Sequence, residues 1–138
     1  MKNIINKRFI DALEYEVTGA CIEIHKYLGP GLLESIYHRW LERELQLRNI
    51  SYISEHIIDI EYKDTVISTA LRVDLLIENC LVLELKSVET IHPIHEAQIL
   101  TYMKLLSAPK GLLINFNCTN IIHNGKKTFV NELYRNLL

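Results

Sequence analysis

The chain has 138 residues, 49% of them hydrophobic, with 15 Lys and Arg against 17 Asp and Glu for a formal net charge of −2. Five Gly, three Pro and a mean hydropathy near zero exclude a low-complexity or disordered chain and fit one globular domain over residues 1–138. No apolar run approaches the roughly 20 residues that a membrane-spanning helix needs, and no signal-peptide pattern follows Lys2, Lys7 and Arg8, so a cytoplasmic location is expected. Cys21, Cys80 and Cys118 are far apart and form no C-x-x-C pair, which signals neither a disulfide framework nor a structural zinc site. The near-neutral balance lacks the basic excess of most nucleic-acid binders, so such a role has to rest on a local site.

Ile10, Leu13, Val17, Cys21, Ile24 and Leu28 recur three and four residues apart, which predicts a helix over about 10–28. Gly29-Pro30-Gly31 breaks it, because proline disfavours helix before itself and glycine accepts angles that other residues avoid. A second helix follows, with Leu33, Ile36, Tyr37, Trp40, Leu41 and Leu45 as its apolar stripe, and ends near Asn49. The two helices form a hairpin. His56 to Tyr62 and Val66 to Ile77 then read as strands joined around Lys63 and Asp64, and Leu81 to Val88 as a third. Pro93 opens a third helix that runs to about Leu106, apolar on several sides and so expected to be buried. Gly111 to Phe116 is a continuous apolar strand, and Ile121 to His123 and Thr128 to Val130 flank Asn124-Gly125, a favoured pair for a type I′ hairpin turn. The order predicts an α/β domain, a mixed central sheet flanked by helices, with the helical hairpin at its N-terminal end.

Asp74, Glu84 and Lys86 carry the chemistry. Glu84 and Lys86 share one face of a strand, as residues two apart must. If Glu78-Asn79-Cys80 is a three-residue loop, Ile77 faces Leu81 and Asp74 lies across from Glu84; a two-residue turn would move one of them to the other face. Two opposed carboxylates raise each other's pKa and lose solvation, a conflict that a hard divalent cation such as Mg²⁺ or Mn²⁺ resolves. A lysine beside them can orient or help deprotonate water. A purely structural salt-bridged face explains the trio about as well. His95, Gln98 and Tyr102 form a polar stripe on the third helix.

Gly31-Leu32-Leu33-Glu34-Ser35-Ile36-Tyr37 fits the G-x-x-E-x-x-Y pattern, and here the chain resembles the GxxExxY proteins, a group assigned to the PD-(D/E)xK nuclease superfamily. The blocks Ile22-Glu23-Ile24-His25-Lys26, Arg72-Val73-Asp74-Leu75-Leu76, Glu84-Leu85-Lys86, His95-Glu96-Ala97-Gln98 and Leu113-Ile114-Asn115-Phe116 extend the resemblance from about Val17 to Leu133. It implies a restriction-endonuclease-like core. It also implies that Asp74, Glu84 and the backbone carbonyl of Leu85 hold the metal, that Lys86 positions the attacking water, and that Glu34 reaches the site directly or through water. Val73 stands where the motif often has proline. Gln98-x-x-x-Tyr102 is similar to the Q-x-x-x-Y motif of RecB-type and lambda-exonuclease-type nucleases, which implies a place for both beside the catalytic lysine.

The reading that results is a Mg²⁺-dependent nuclease, with Mn²⁺ as substitute, that hydrolyses phosphodiester bonds in nucleic acid, DNA being the expected substrate. Its catalytic residues are Lys86, Glu34, Gln98 and Tyr102. Phosphate contacts are expected from Lys104, Lys110, Lys126 and Lys127 or from a protein partner. The alternative is a non-catalytic binding or assembly subunit that keeps the fold. Tyr37 is expected to pack, and His25 to be either a donor behind the site or an ordinary surface histidine.

Overall fold

The computed structural model describes residues 4–138, so Lys2 of the N-terminal segment lies outside the described residues. Helix α1 (Lys7–Leu28) starts at Asn6, whose side chain accepts the N–H of Phe9, and buries the expected stripe from Ile10 to Ile24. Gly29 and Gly31 follow at φ 69° and 93°, left-handed angles that favour glycine. Helix α2 (Glu34–Leu47) then runs back along α1, giving the expected hairpin.

Its inward face differs from the expected stripe. Tyr37, Leu41 and Leu45 are buried, whereas Leu33 and Trp40 are exposed. The apolar row of α2 is wide enough to choose between two faces, and aromatic stacking decides it: the Tyr37 ring lies 4.3 Å from that of Phe116, the planes 4° apart.

Strands β1 (Tyr52–Tyr62), β2 (Thr65–Ile77) and β3 (Leu81–Lys86) precede helix α3 (Pro93–Leu105); β4 (Lys110–Asn115), a π-helical turn (Ile121–Gly125), β5 (Lys126–Val130) and the short α4 (Glu132–Arg135) complete the order. The five strands lie side by side in chain order. All neighbours are antiparallel except β3 and β4, which run parallel and are joined across the sheet by α3. The β1–β2 connection is the two residues Lys63 and Asp64, both at left-handed φ, as a hairpin turn matched to strand twist requires.

One face of the sheet packs Leu75, Ile77, Leu81, Leu83, Leu85, Leu112 and Ile114 against α1 and α2. The other packs Val73, Leu76, Val82 and Leu113 against Ile99, Tyr102 and Met103 of α3. Helix α3 is thus buried against the sheet as expected, on one face, with Ile94 and Leu100 exposed on the other. It approaches β4 closely because Gly111 has no side chain: a Cβ there would lie 2.8 Å from the Met103 sulfur.

The expected hairpin at Asn124-Gly125 does not form. Neither residue has the positive φ that a type I′ turn needs. The two asparagine side chains instead close the turn on its own backbone, Asn120 Oδ1 accepting from His123 N–H and Asn124 Oδ1 from Asn120 N–H, while β5 pairs with β4.

Candidate active site at the end of β3

The site is built where β2 and β3 part. Glu78–Cys80 forms the three-residue connection, and the last paired residues are Ile77 with Leu81, Leu76 with Val82 and Leu75 with Leu83. One step further along, Asp74 and Glu84 replace the backbone ladder with their side chains. The Asp74 N–H donates to Glu84 Oε1 at 3.1 Å, and the Leu85 N–H donates to Asp74 Oδ2 at 2.8 Å. Each carboxylate thus spends one oxygen on a backbone N–H, and the two carboxyl groups also lie within hydrogen-bonding reach of one another, an arrangement that favours a proton on Glu84. A strand residue's N–H and C=O leave on the same side, so the Leu85 carbonyl also points toward the gap that Asp74 occupies.

Burial sets the electrostatics. Glu84 is buried and Asp74 half-buried. The Glu84 carboxyl is pushed up to about 8, chiefly by loss of water and then by the charge of Asp74. Tyr102, on the α3 face that covers this end of the sheet, is also raised, by burial and then by the charges of Glu84 and Asp74. Two carboxyl groups confined together in this way are the donor set that a hard divalent cation satisfies. Among the described residues no three His, Cys, Asp or Glu side chains converge on one point. The ligands that fit a cation are therefore the two carboxylates and the Leu85 carbonyl, with water completing the shell.

Three segments hold this end of β3. Leu32, in the loop after Gly31, accepts from the Ser87 hydroxyl, and Glu34 Oε1 accepts from the Ser87 N–H at a long 3.4 Å. Glu34 thus stands at the residue after Lys86, beside the carboxylate pair and not within it. The Tyr37 hydroxyl donates to the Gly29 carbonyl and accepts the Leu32 N–H, so the Gly31-to-Tyr37 heptad acts as a clasp whose tyrosine fixes the turn that presents its glutamate. Buried Asn115 fixes the following residue, its amide spanning the N–H and C=O of Val88 at 3.1 and 2.9 Å. The roles of Ser87 and Asn115 were missed in the sequence; a lone asparagine closing the apolar run of β4 was the available signal for the second.

On α3 the stripe divides. Tyr102 is buried close enough to the carboxylates to feel their charges, whereas Gln98 is exposed and makes no hydrogen bond among the described residues. His95 accepts the His92 N–H at its Nδ1, leaving Nε2 as the N–H donor of the neutral ring. Its pKa is lowered, first by burial and then by the nearby charges of Lys86 and His92, against the pull of Glu34.

Two expectations are corrected. Lys110 is buried and bound to Asp11 and Glu14, Lys126 holds Glu14 at 2.7 Å, and Lys127 holds Glu96 at 2.8 Å. Of the four lysines proposed for phosphate, only Lys104 is without an ion pair among the described residues, because the acidic residues of α1 and α3 take up the others. His25 is not behind the site: its Nε2 meets the Cys118 carbonyl at 3.1 Å and ties α1 to the segment after β4.

The family model of the PD-(D/E)XK nuclease superfamily matches residues 11–128, and the chain belongs to that superfamily. The mixed five-strand sheet with its flanking helices and N-terminal helix pair is accordingly a restriction-endonuclease-like core. Searches of curated proteins and of solved structures each returned no match. No helix among the described residues is long and apolar enough to cross a membrane.

Proposed function

We propose that residues 1–138 form one nuclease domain of the GxxExxY type that hydrolyses phosphodiester bonds in nucleic acid with Mg²⁺, or Mn²⁺ in its place, DNA being the expected substrate. The reading rests above all on the Asp74–Glu84 pair, opposed carboxyl groups confined together at the end of β3 that each accept one backbone N–H and have no cationic side chain bound to them among the described residues. Asp74, Glu84 and the Leu85 carbonyl would hold the cation, which when bound supplies Lewis-acid polarisation of the scissile phosphate and lowers the pKa of water. Lys86, next along β3 on the Glu84 face, orients the attacking water and balances charge on the phosphate. Glu34 acts through water from beside Ser87. Tyr102 lines the pair, and Gln98, exposed one turn earlier, is placed for substrate and not for the carboxylates. Cys21, Cys80 and Cys118 are all free thiols, which supports work in a reducing compartment such as the cytoplasm.

The experiment is calorimetric Mg²⁺ and Mn²⁺ binding to wild type and Asp74→Ala, with cleavage of single- and double-stranded DNA in the same buffers. Binding that needs Asp74, with metal-dependent cleavage that Lys86→Ala loses, is the expected result; a Lys86→Ala protein as fast as wild type overturns it. The pairing of Lys110 and Lys126 with Glu14, and of exposed Lys127 with Glu96, favours a second reading, a non-catalytic binding or assembly subunit that depends on a protein partner. That reading gains if neither metal binds even with nucleic acid present.

A further inference from the structure

Leu33, Ile36, Trp40, Arg43 and Leu47 recur three and four residues apart along α2, on a side that the core does not use. Leu33, Trp40 and Leu47 are exposed. From Ile36 onward this row, with Tyr27 and Glu23 of α1, walls a groove of about 570 Å³. Alternating steps of three and four are the seam of a paired helix, and no element among the described residues fills it.

The charges say what would. Glu23, Arg39 and Arg43 flank the groove without an ion-pair partner among the described residues, while Glu44 is taken by Arg48. A polyanionic strand would gain the two guanidiniums but also meet two carboxylates and aliphatic Ile36 and Leu47. A surface that bears both signs and an apolar seam is instead complementary to itself.

We propose that this groove receives a second copy of the chain, the two α2 helices packing antiparallel about a two-fold axis. With Trp40 of one copy level with Arg43 of the other, Ile36 meets Leu47, and symmetry repeats each contact. The four layers cover about 16 Å of helix. Each guanidinium then covers an indole face, and the Glu23 carboxylates face a surface that carries the opposite charge.

The test is sedimentation of the full chain from micromolar to several hundred micromolar, for wild type, Trp40→Glu and Leu47→Glu, with circular dichroism to verify folding. A wild-type dimer whose dissociation constant rises about 30-fold or more in either variant is expected, the loss typical of a central interface residue. Because Trp40 is the chain's single tryptophan, its emission should shift to the blue as the dimer forms. A wild-type chain that stays monomeric overturns the proposal, as does a dimer indifferent to both variants. Quenching of Trp40 by an oligonucleotide while the chain is monomeric also overturns it and assigns the groove to nucleic acid.

Discussion

Two clusters of buried charge sit at opposite ends of the parallel β3–β4 pair, and the protein treats them in opposite ways. At the start of β4, Lys110 enters the interior with its countercharges: Asp11 and Glu14 reach it from α1, Glu14 also holds Lys126, and the Tyr134 ring lies 4.8 Å from the ammonium. At the end of β3, Asp74 and Glu84 are confined with like charge, and what they accept is backbone N–H. The first cluster is complete within the chain and fastens α1 to the sheet. The second is complete only with a cation or a proton from outside. Buried charge left uncompensated by its own chain is the ground on which this end of the sheet is proposed as the functional one.

The largest effects should separate the two ends. Asp74→Ala or Lys86→Ala is expected to lower metal-dependent cleavage by about a hundredfold to a thousandfold, the loss that follows removal of a group aimed at developing charge, with the melting temperature little changed. Lys110→Met should do the reverse. Removing one partner of a buried pair costs about 3 kcal/mol, read as a lower urea midpoint, with metal affinity kept in the fraction that remains folded.

The open cluster predicts a pH dependence of known sign. Glu84 holds its proton up to about 8 in the folded chain but releases it near 4.5 in the unfolded one. Without metal, the stability that this group contributes is therefore full below the ordinary carboxylate range and is lost as pH rises through about 8. Thermal melts in a chelator should fall over that window, Mg²⁺ should restore them, and Glu84→Gln should flatten the curve and melt a few degrees higher above pH 8. A curve unchanged by Glu84→Gln would remove the contrast between the clusters.

The smallest expected change is in the clasp. Tyr37→Phe keeps the stack on Phe116 but gives up the hydrogen bonds to Gly29 and Leu32, worth about 1 kcal/mol each. Loosening that turn should slow cleavage only severalfold, because Glu34 acts from beside Ser87 and not from within the pair.

Much of this was legible before folding. Helix and strand order followed from apolar spacing, and the opposition of Asp74 to Glu84 followed from the three-residue connection, because side chains alternate along a strand. The failures share a cause: each needed to know what lay on the other side of a residue. Asn124-Gly125 has hairpin composition, yet Gly125 is buried with the Cys118 sulfur and the Asn115 carbonyl too close for any Cβ. Lys110, Lys126 and Lys127 are cations on paper, but α1 and α3 bring carboxylates to all three.

By itself, then, the sequence determined the local elements, the loop length that sets strand register and the chemical identity of the β3 carboxylates, since these depend on neighbours a few residues apart. Tertiary structure decided which face of α2 is buried, which lysines remain free and which backbone groups the carboxylates accept. Those outcomes turn on contacts between residues distant along the chain, whose energies exist only once the sheet has brought them together.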